Sequence, residues 1–455
     1  MTTGSTAGSS RSGPSTRAVF ALAWPMAMNA ILLQGILIID TLLVAPLGEA
    51  SLAAMGLAAS IVAIVLGVIF AFANGTQLLA AQAEGAANGP ALGAAFWSGL
   101  LINGVIAAIG TVLILTFGRP VLDTLSQTPA MGRLAWDYIA WFTLVIAGVA
   151  LCQNITVTLY ATGRSRLPLY GNLLELPVNA LLSYALINGA WGFPLLGLSG
   201  AAIGSAVAVG LRAAFLLAVL RFLKPDFARF PWASVRTARR AVRHHVDNAL
   251  PIAGTFISAT LSLQVCMLVY AQLPIRQFAL LTLLLPWMKV ATHAATAWAQ
   301  GTGIQVGQLL GRDAMEALDE FVARAWRFAF HIAAAIALAY TAICFAFEWI
   351  YPDLDARTVH IARTIVPLLI VLPLIRTSNT ICGNVLRAGG DAAYSLKIHM
   401  SVQWFVTVPL SVLFVLVLEL PLIWVFAIMV IDELVKAPPF HLRLYSGRWK
   451  RRLVA

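Results

Sequence analysis

The side chains with the most chemical potential here are ionisable groups embedded in apolar sequence. The acids are Asp40, Glu175, Asp432 and Glu433, with Glu348 near the end of its run; the bases are Arg212, Lys289, Arg363, Arg376 and Lys436. A charge at the centre of a membrane helix costs about 2.5–3.5 kcal/mol on insertion scales, so each marks a candidate site. Asp40 comes first. It follows an apolar run broken only by Gln34. A carboxylate there binds a cation directly, or takes up a proton when it is desolvated. The alternative is an interfacial aspartate, since Asp40 stands about 8 Å from the outer end of its run at 1.5 Å per residue.

A second signal is a polar stripe. Glu175, Asn179 and Ser183 recur every four residues and share a helical face, with Asn172 one turn before Glu175. Such a face turns to a water-filled cleft or to another helix, where interhelical hydrogen bonds are worth about 0.6 kcal/mol each. Pro177 is a candidate kink within it. Asn154 and Glu175 each lie about 12 Å from the inner ends of their runs, which predicts that they meet. Gln34, Asn172, Ser205 and Arg376 are candidate cleft or substrate residues. Ser205, in a Gly/Ala/Ser segment, has close packing as its alternative. Arg376 reads as the partner of a carboxylate across its bundle or of an anionic substrate. Asp432 and Lys436 form an i, i+4 pair. His293 reads as a packed, hydrogen-bonded residue. Trp24, Trp141, Trp287, Trp298 and Trp404 read as interface anchors or core, with one or two available to line a cleft.

Other chemistries are not signalled. The cysteines Cys152, Cys266, Cys344 and Cys382 all lie in apolar runs without a CxxC pair, so neither a zinc site nor a redox dithiol is indicated. GxxxxGK[ST] and HExxH are absent, so no ATP site or zinc-protease helix is encoded.

These groups need elements that hold them at membrane depth. Of the 455 residues, 60% are hydrophobic and 11% charged, against about half and a quarter in soluble domains. That excludes a soluble globule, a disordered chain and a coiled coil. Twelve apolar runs, the first at 18–45 and the last at 421–442, are each near or above the roughly 20 residues a span needs. The chain reads as an all-α integral membrane protein: a disordered tail over 1–16, a six-helix bundle over 17–222, a linker over 223–247, a second six-helix bundle over 248–442 and a basic tail over 443–455. The linker reads as an amphipathic surface helix or a solvated topogenic segment. Net charge is +11, and its excess falls on one side. Arg119, Arg133, Arg276 and Arg357 alone are assigned to the other side. Both termini are therefore placed in the cytoplasm, in an inner membrane, and nucleic-acid binding is not expected.

The halves repeat. ANGTQLLAAQAEG at 73–85 and AQGTGIQVGQLLG at 299–311 share an offset of 226 residues, which also aligns Ala23 and Pro25 with Ala249 and Pro251. Six spans between copies give them one orientation, the arrangement of transporters built from parallel repeats.

These segments resemble the MATE (multidrug and toxin extrusion) transporters. The resemblance is carried by IIDTLLVAPLGEASLAAMGLA at 38–58, the segment ending AQAEGA at 86 and LYATGRSR at 159–166. It continues through GFPLLGLSGAAIGSAVA at 192–208, QVGQLLGR at 305–312 and LRAGGD at 386–391. It implies two bundles around a V-shaped cleft, alternating access, and efflux of amphipathic, often cationic compounds against proton or sodium entry. It places Asp40, Asn179 and Asn154 in the cation site of the first lobe. Ser183 stands where some relatives carry a second aspartate, which weakens direct sodium coordination; Glu175 is a candidate for the missing charge. In the second half Asp40 maps onto Cys266, and the tenth run carries Arg376 rather than an acid, so a second-lobe sodium site is not expected. The expectation is a monomeric antiporter, not an enzyme, without a cofactor, with the proton as coupling ion and sodium at Asp40 as the alternative. A lipid or lipid-linked oligosaccharide flippase is the other functional reading.

Overall fold

A computed structural model describes residues 14–126, 128–223, 225–232, 234–350 and 356–453. The tail read over 1–16 lies outside these residues except at its end, where Ser15 caps the first helix. With no water to serve the backbone in a bilayer, the apolar runs must be helices, and no strand occurs among the described residues. The first half contains α1 (Thr16–Val44), α2 (Glu49–Gly85), α3 (Gly89–Leu125), α4 (Pro129–Ala161), α5 (Arg166–Asn188) and α6 (Leu198–Leu223). The second contains α7 (Val235–Tyr270), α8 (Ile275–Gly311), α9 (Met315–Ile350), α10 (Ala356–Thr364) leading into α11 (Val366–Ala388), α12 (Ala392–Val402), α13 (Val408–Val412) and α14 (Ile423–Tyr445). Residues 403–407 and 413–417 are π turns that carry α12 through α13 as one rod. Side chains start several helices: Asn88 Oδ1 accepts from Ala91 N at 3.0 Å and Thr128 Oγ1 from Met131 N at 3.3 Å. Pro177 lies within α5, which is continuous through it.

Among the described residues, ten rods are long and apolar enough to cross a membrane. The other two, α5 and α14, have 23 residues each. That is about 34 Å of helix, enough for a hydrocarbon layer of about 30 Å. Their apolarity is diluted by the polar residues singled out above, and both lie against other helices: α5 on α1 and α6, α14 on α11 and α12.

Among the described residues of 223–247, the α-helical part from Val235 is continuous with the span that follows. Asp226–Ala228 make one 3-10 turn against α3. There the rings of Phe96 and Phe227 meet at 5.3 Å, and Trp97 Nε1 donates to Arg229 O at 3.1 Å. From Val235 the chain is already α7, opened by a capping box between Ser234 and Thr237. Extending an existing helix fixes one residue per added hydrogen bond, whereas a separate helix needs its own nucleus. The arginines at 236–243 therefore ride on the first turns of a span.

The halves meet through α1 with α8 and through α2 with α7 and α8. Away from the termini, each half has its own core: one cluster, including Val44, Ile114 and Ala202, is built from the first half alone, another, including Cys266, Leu369 and Val430, from the second alone. At the end bearing the termini the cores merge. Val19, Ala23 and Leu78 pack with Trp298, Ile381 and Phe440, and Ala297 and Ile304 join the first half's cluster. The lobes thus diverge from a shared base.

The repeated motif makes that base. A Cβ on Gly85 would strike the Gln308 backbone, and one on Gly311 would strike that of Gln82. Their neighbours reach across in mirrored fashion: Gln82 Nε2 donates to Ala388 O at 2.7 Å, and Gln308 Nε2 donates to Ala161 O at 2.8 Å. Ala161 ends α4 and Ala388 ends α11, so each glutamine satisfies a helix-end carbonyl of the opposite lobe. The basic segment after α14 is tied into the same base. Leu453 N donates to Gln82 Oε1 at 2.7 Å, Lys450 pairs with Asp319 at 2.7 Å, and Trp449 is 1% exposed.

Forcing a side chain into such packing costs about 1–3 kcal/mol. Gly85→Leu is therefore expected to lower the unfolding temperature and to lengthen the distance between spin labels on the α2–α3 and α8–α9 turns. An unchanged distance distribution would show that this contact does not hold the lobes together.

Candidate functional site

Asp40 sits one turn before the end of α1 and is 6% exposed. It faces α6, whose Ser205 Oγ donates to Asp40 Oδ2 at 3.3 Å. Asn179 of α5 supports that serine, with Nδ2 donating to Ser205 Oγ at 2.8 Å. Asp40 Oδ1 and Asn179 Oδ1 are both buried with no hydrogen-bond partner among the described residues. The small residues of α6 permit this approach: a Cβ at Gly204 would overlap the Ser183 backbone on α5.

One to two turns nearer the base, the stripe on α5 changes partners. Arg212 of α6 donates from Nη1 to Glu175 Oε2 at 2.7 Å and to Asn172 Oδ1 at 2.9 Å. Asn172 Nδ2 in turn donates to Asn29 Oδ1 of α1 at 2.6 Å. All four side chains are buried. Ser183, at the other end of the stripe, directs its hydroxyl to Ala201 O at 3.5 Å. The stripe thus faces α1 and α6 inside the first lobe. Glu175 supplies no free charge there: Arg212 neutralises it.

Asn154 does not meet Glu175. Its Nδ2 donates to Phe96 O on α3 at 3.0 Å, and its Oδ1 accepts from Thr76 Oγ1 on α2 at 3.3 Å. Helical rise fixed its depth but not its azimuth, and α4 turns it towards α2 and α3. It belongs to a different node, where His245 enters from α7: the imidazole lies 3.3 Å from Thr76 Oγ1 and 2.9 Å from Ser98 Oγ. Gln34 is half-buried on α1, on a different face from Asp40.

In the second lobe Arg376 donates to Glu433 Oε1 at 3.0 Å, and Asn379 Nδ2 donates to Glu433 Oε2 at 3.0 Å. Lys436 pairs with Asp432, whose Oδ1 accepts from Thr407 Oγ1 at 2.6 Å. Of the two readings of Arg376, the carboxylate across the bundle is the one the structure holds. Among the described residues, no group of three or more His, Cys, Asp or Glu side chains could hold a metal ion.

Arg212, Asn29 and His245 are the site residues that sequence reasoning left unassigned. Arg212 carried a usable signal, as a base within a span of the same half as an unexplained acid; His245 carried none, because it reads as part of a linker.

Between the lobes, just beyond their shared base, lies an open cleft of about 120 Å³, walled by α2, α7, α8 and α11. Two duplicated bundles of membrane helices, joined at one end around a cleft of mixed polar and apolar lining, have the architecture of transporters built from parallel repeats. The MatE family profile matches residues 25–185 and again 251–413, once in each lobe. The chain belongs to the MatE family. It is 27% identical over 403 residues, covering 85% of this chain and 83% of the relative, to a probable multidrug resistance protein NorM of Burkholderia pseudomallei (strain K96243). It is 25% identical over 462 residues, covering 97% and 96%, to the uncharacterized transporter YisQ of Bacillus subtilis (strain 168). Its fold is similar to a crystal structure of MATE in the bent conformation, with TM-score 0.84 at 18% identity over 97% of each chain. It is equally similar to an outward-facing multidrug resistance MATE family transporter of the MOP superfamily, with TM-score 0.84 at 17% identity over 96% of this chain and 97% of that one.

Removing one partner of a buried ion pair leaves an uncompensated charge and costs about 3–5 kcal/mol, whereas replacing both with apolar groups is often neutral. Arg212→Met is therefore expected to lower the thermal stability of the detergent-solubilised protein sharply, and Arg212→Met with Glu175→Leu to recover most of the loss. Additive losses in the double variant would show that the two charges do not compensate one another.

Proposed function

We propose that this chain exports small amphipathic molecules by alternating access, driven by proton entry at Asp40. The observation that carries the reading is a buried carboxylate between α1, α5 and α6 of one lobe, with Ser205 Oγ 3.3 Å from Oδ2 and no hydrogen-bond partner for Oδ1 among the described residues. A proton on Asp40 removes the charge that its surroundings leave uncompensated. It also turns the carboxyl into a donor, and the unpartnered Asn179 Oδ1 is an acceptor on the neighbouring helix. Protonation would then draw α1 towards α5 and change the shape of the first lobe. Coupling follows if the two lobe arrangements hold that proton with different affinity.

Sodium is the less favoured ion. A hard cation needs several oxygens around it, and Ser183 Oγ is directed to Ala201 O rather than to Asp40. The uneven distribution of basic residues supports termini in the cytoplasm. On that topology the merged base closes the inner side and the cleft opens outward, the state in which substrate leaves. The multidrug resistance names of the NorM relatives support efflux as the direction, and a multi-pass monomer in the inner membrane is the matching cellular form.

In everted membrane vesicles, Asp40→Asn is expected to reduce pH-driven efflux to that of vesicles without the protein, while substrate binding to the purified variant persists. Full pH-driven transport by that variant would remove Asp40 from the mechanism.

A further inference from the structure

We propose that the cleft between the lobes binds anionic amphiphiles, with Arg387 and Gln77 receiving the acid group from opposite lobes. This deepens the efflux reading by naming a substrate class, although the binding site itself does not depend on transport. Arg387, Asn384 and Thr380 follow one another on one face of α11 and line the cleft. Arg387 has neither an ion pair nor a hydrogen bond among the described residues. Arg212, Arg376 and Arg443 differ, each holding a carboxylate at 2.7, 3.0 and 2.6 Å, and half-buried Arg324 has Glu320 at 3.6 Å. No aspartate or glutamate lines the cleft.

Gln77 provides an independent observation on the facing wall. It is 8% exposed, lines the same cleft from α2, and its Nε2 is buried with no partner among the described residues. Two donor groups on two lobes thus border one cavity whose described lining offers neutral acceptors, such as Asn74, Gln300 and Asn384, but no carboxylate. A buried polar group without a partner costs free energy, and a charged one costs more. An oxyanion satisfies both, and a guanidinium binds carboxylate, sulfonate or phosphate through charge-assisted, often paired hydrogen bonds. An ammonium group would be repelled by Arg387 and would find no carboxylate on the wall. The rest of the ligand meets apolar surface, because Leu78, Ile252, Phe256 and Ile304 line the same space.

The wall continues in the same chemical sense. Lys289 and His293 precede Thr296 and Gln300 on one face of α8, and the latter two line the cleft. Lys289 is exposed, and His293 Nε2 is buried without a partner among the described residues. An acid group approaching along this face meets basic or neutral groups before it reaches Arg387. The cationic substrates implied by family resemblance do not match this lining.

The test is equilibrium binding of two congeners, 2-naphthoate and 2-naphthylmethylammonium, to the purified full-length protein, followed by tryptophan fluorescence. The acid is expected to bind about tenfold more tightly than the amine. Arg387→Gln should remove that preference, Arg387→Lys should keep most of it, and Gln77→Leu should weaken the acid alone. Tighter or equal binding of the amine by the wild type would overturn the proposal. So would an undiminished preference in Arg387→Gln with a wild-type unfolding temperature. If Arg387→Gln does not fold, Asn384→Asp decides: a carboxylate one turn from Arg387 should reverse the preference, and an unchanged preference would again overturn the proposal. Competition by phosphatidylglycerol added to phosphatidylcholine nanodiscs would identify the acid as a lipid headgroup; undiminished affinity would identify it as a soluble compound, and both keep the site's chemistry. If both congeners bind but neither moves under a pH gradient in proteoliposomes, the efflux reading fails and the anion site stands.

Discussion

Charge buried away from water must be answered locally, and that constraint organises the interior of both lobes. Glu175 is answered by Arg212, Glu433 by Arg376 and Asp432 by Lys436. Each pair is backed by a neutral donor or acceptor: Asn172 beside Arg212, Asn379 beside Glu433 and Thr407 beside Asp432. Ion pairs of this kind add little net stability compared with apolar packing, but each partner makes the other indispensable. They fix the rotation of α5 against α6 and of α11 against α14, and so settle which faces remain free for other work.

Two groups escape this arrangement. Asp40 is buried with a single weak donor, and Arg387 lines the cleft without a carboxylate. They are of opposite sign and lie in different lobes, and no hydrogen bond joins them. Against the ion pairs above, these two groups are the ones to which the proposed function gives roles. In the proposed mechanism the acid exchanges a proton inside one lobe, and the base meets cargo where the lobes face each other.

Much of this was legible in the sequence. The length of the apolar runs gave the helical class, because barrel strands are about ten residues of alternating hydropathy whereas these runs are near or above about 20. The four-residue spacing of Glu175, Asn179 and Ser183 gave a common face, and the isolation of Asp40 in an apolar run singled it out. The motif at 73–85 and 299–311 announced two equivalent halves. What could not be read was azimuth and partnership. Asn154 and Glu175 have similar depths, yet α4 presents Asn154 to α2 and α3. Whether Glu175 is free or neutralised depends on how α6 is rotated, which no local pattern encodes. The start of α7 was hidden for a related reason: hydropathy marks where apolar sequence begins, whereas the capping box at Ser234 marks where the helix begins.

The crossed glutamines at the base carry a consequence for the speed of switching. Gln82 and Gln308 hold carbonyls at the ends of α4 and α11, near the surface rather than at mid-bilayer depth. When the halves part there, solvent can take over each surrendered bond, so the fastening is undone at little enthalpic penalty. The same bonds buried in hydrocarbon would make parting prohibitive. Locating the polar clasp where hydration can replace it gives a closure that is directional when shut and readily reversible.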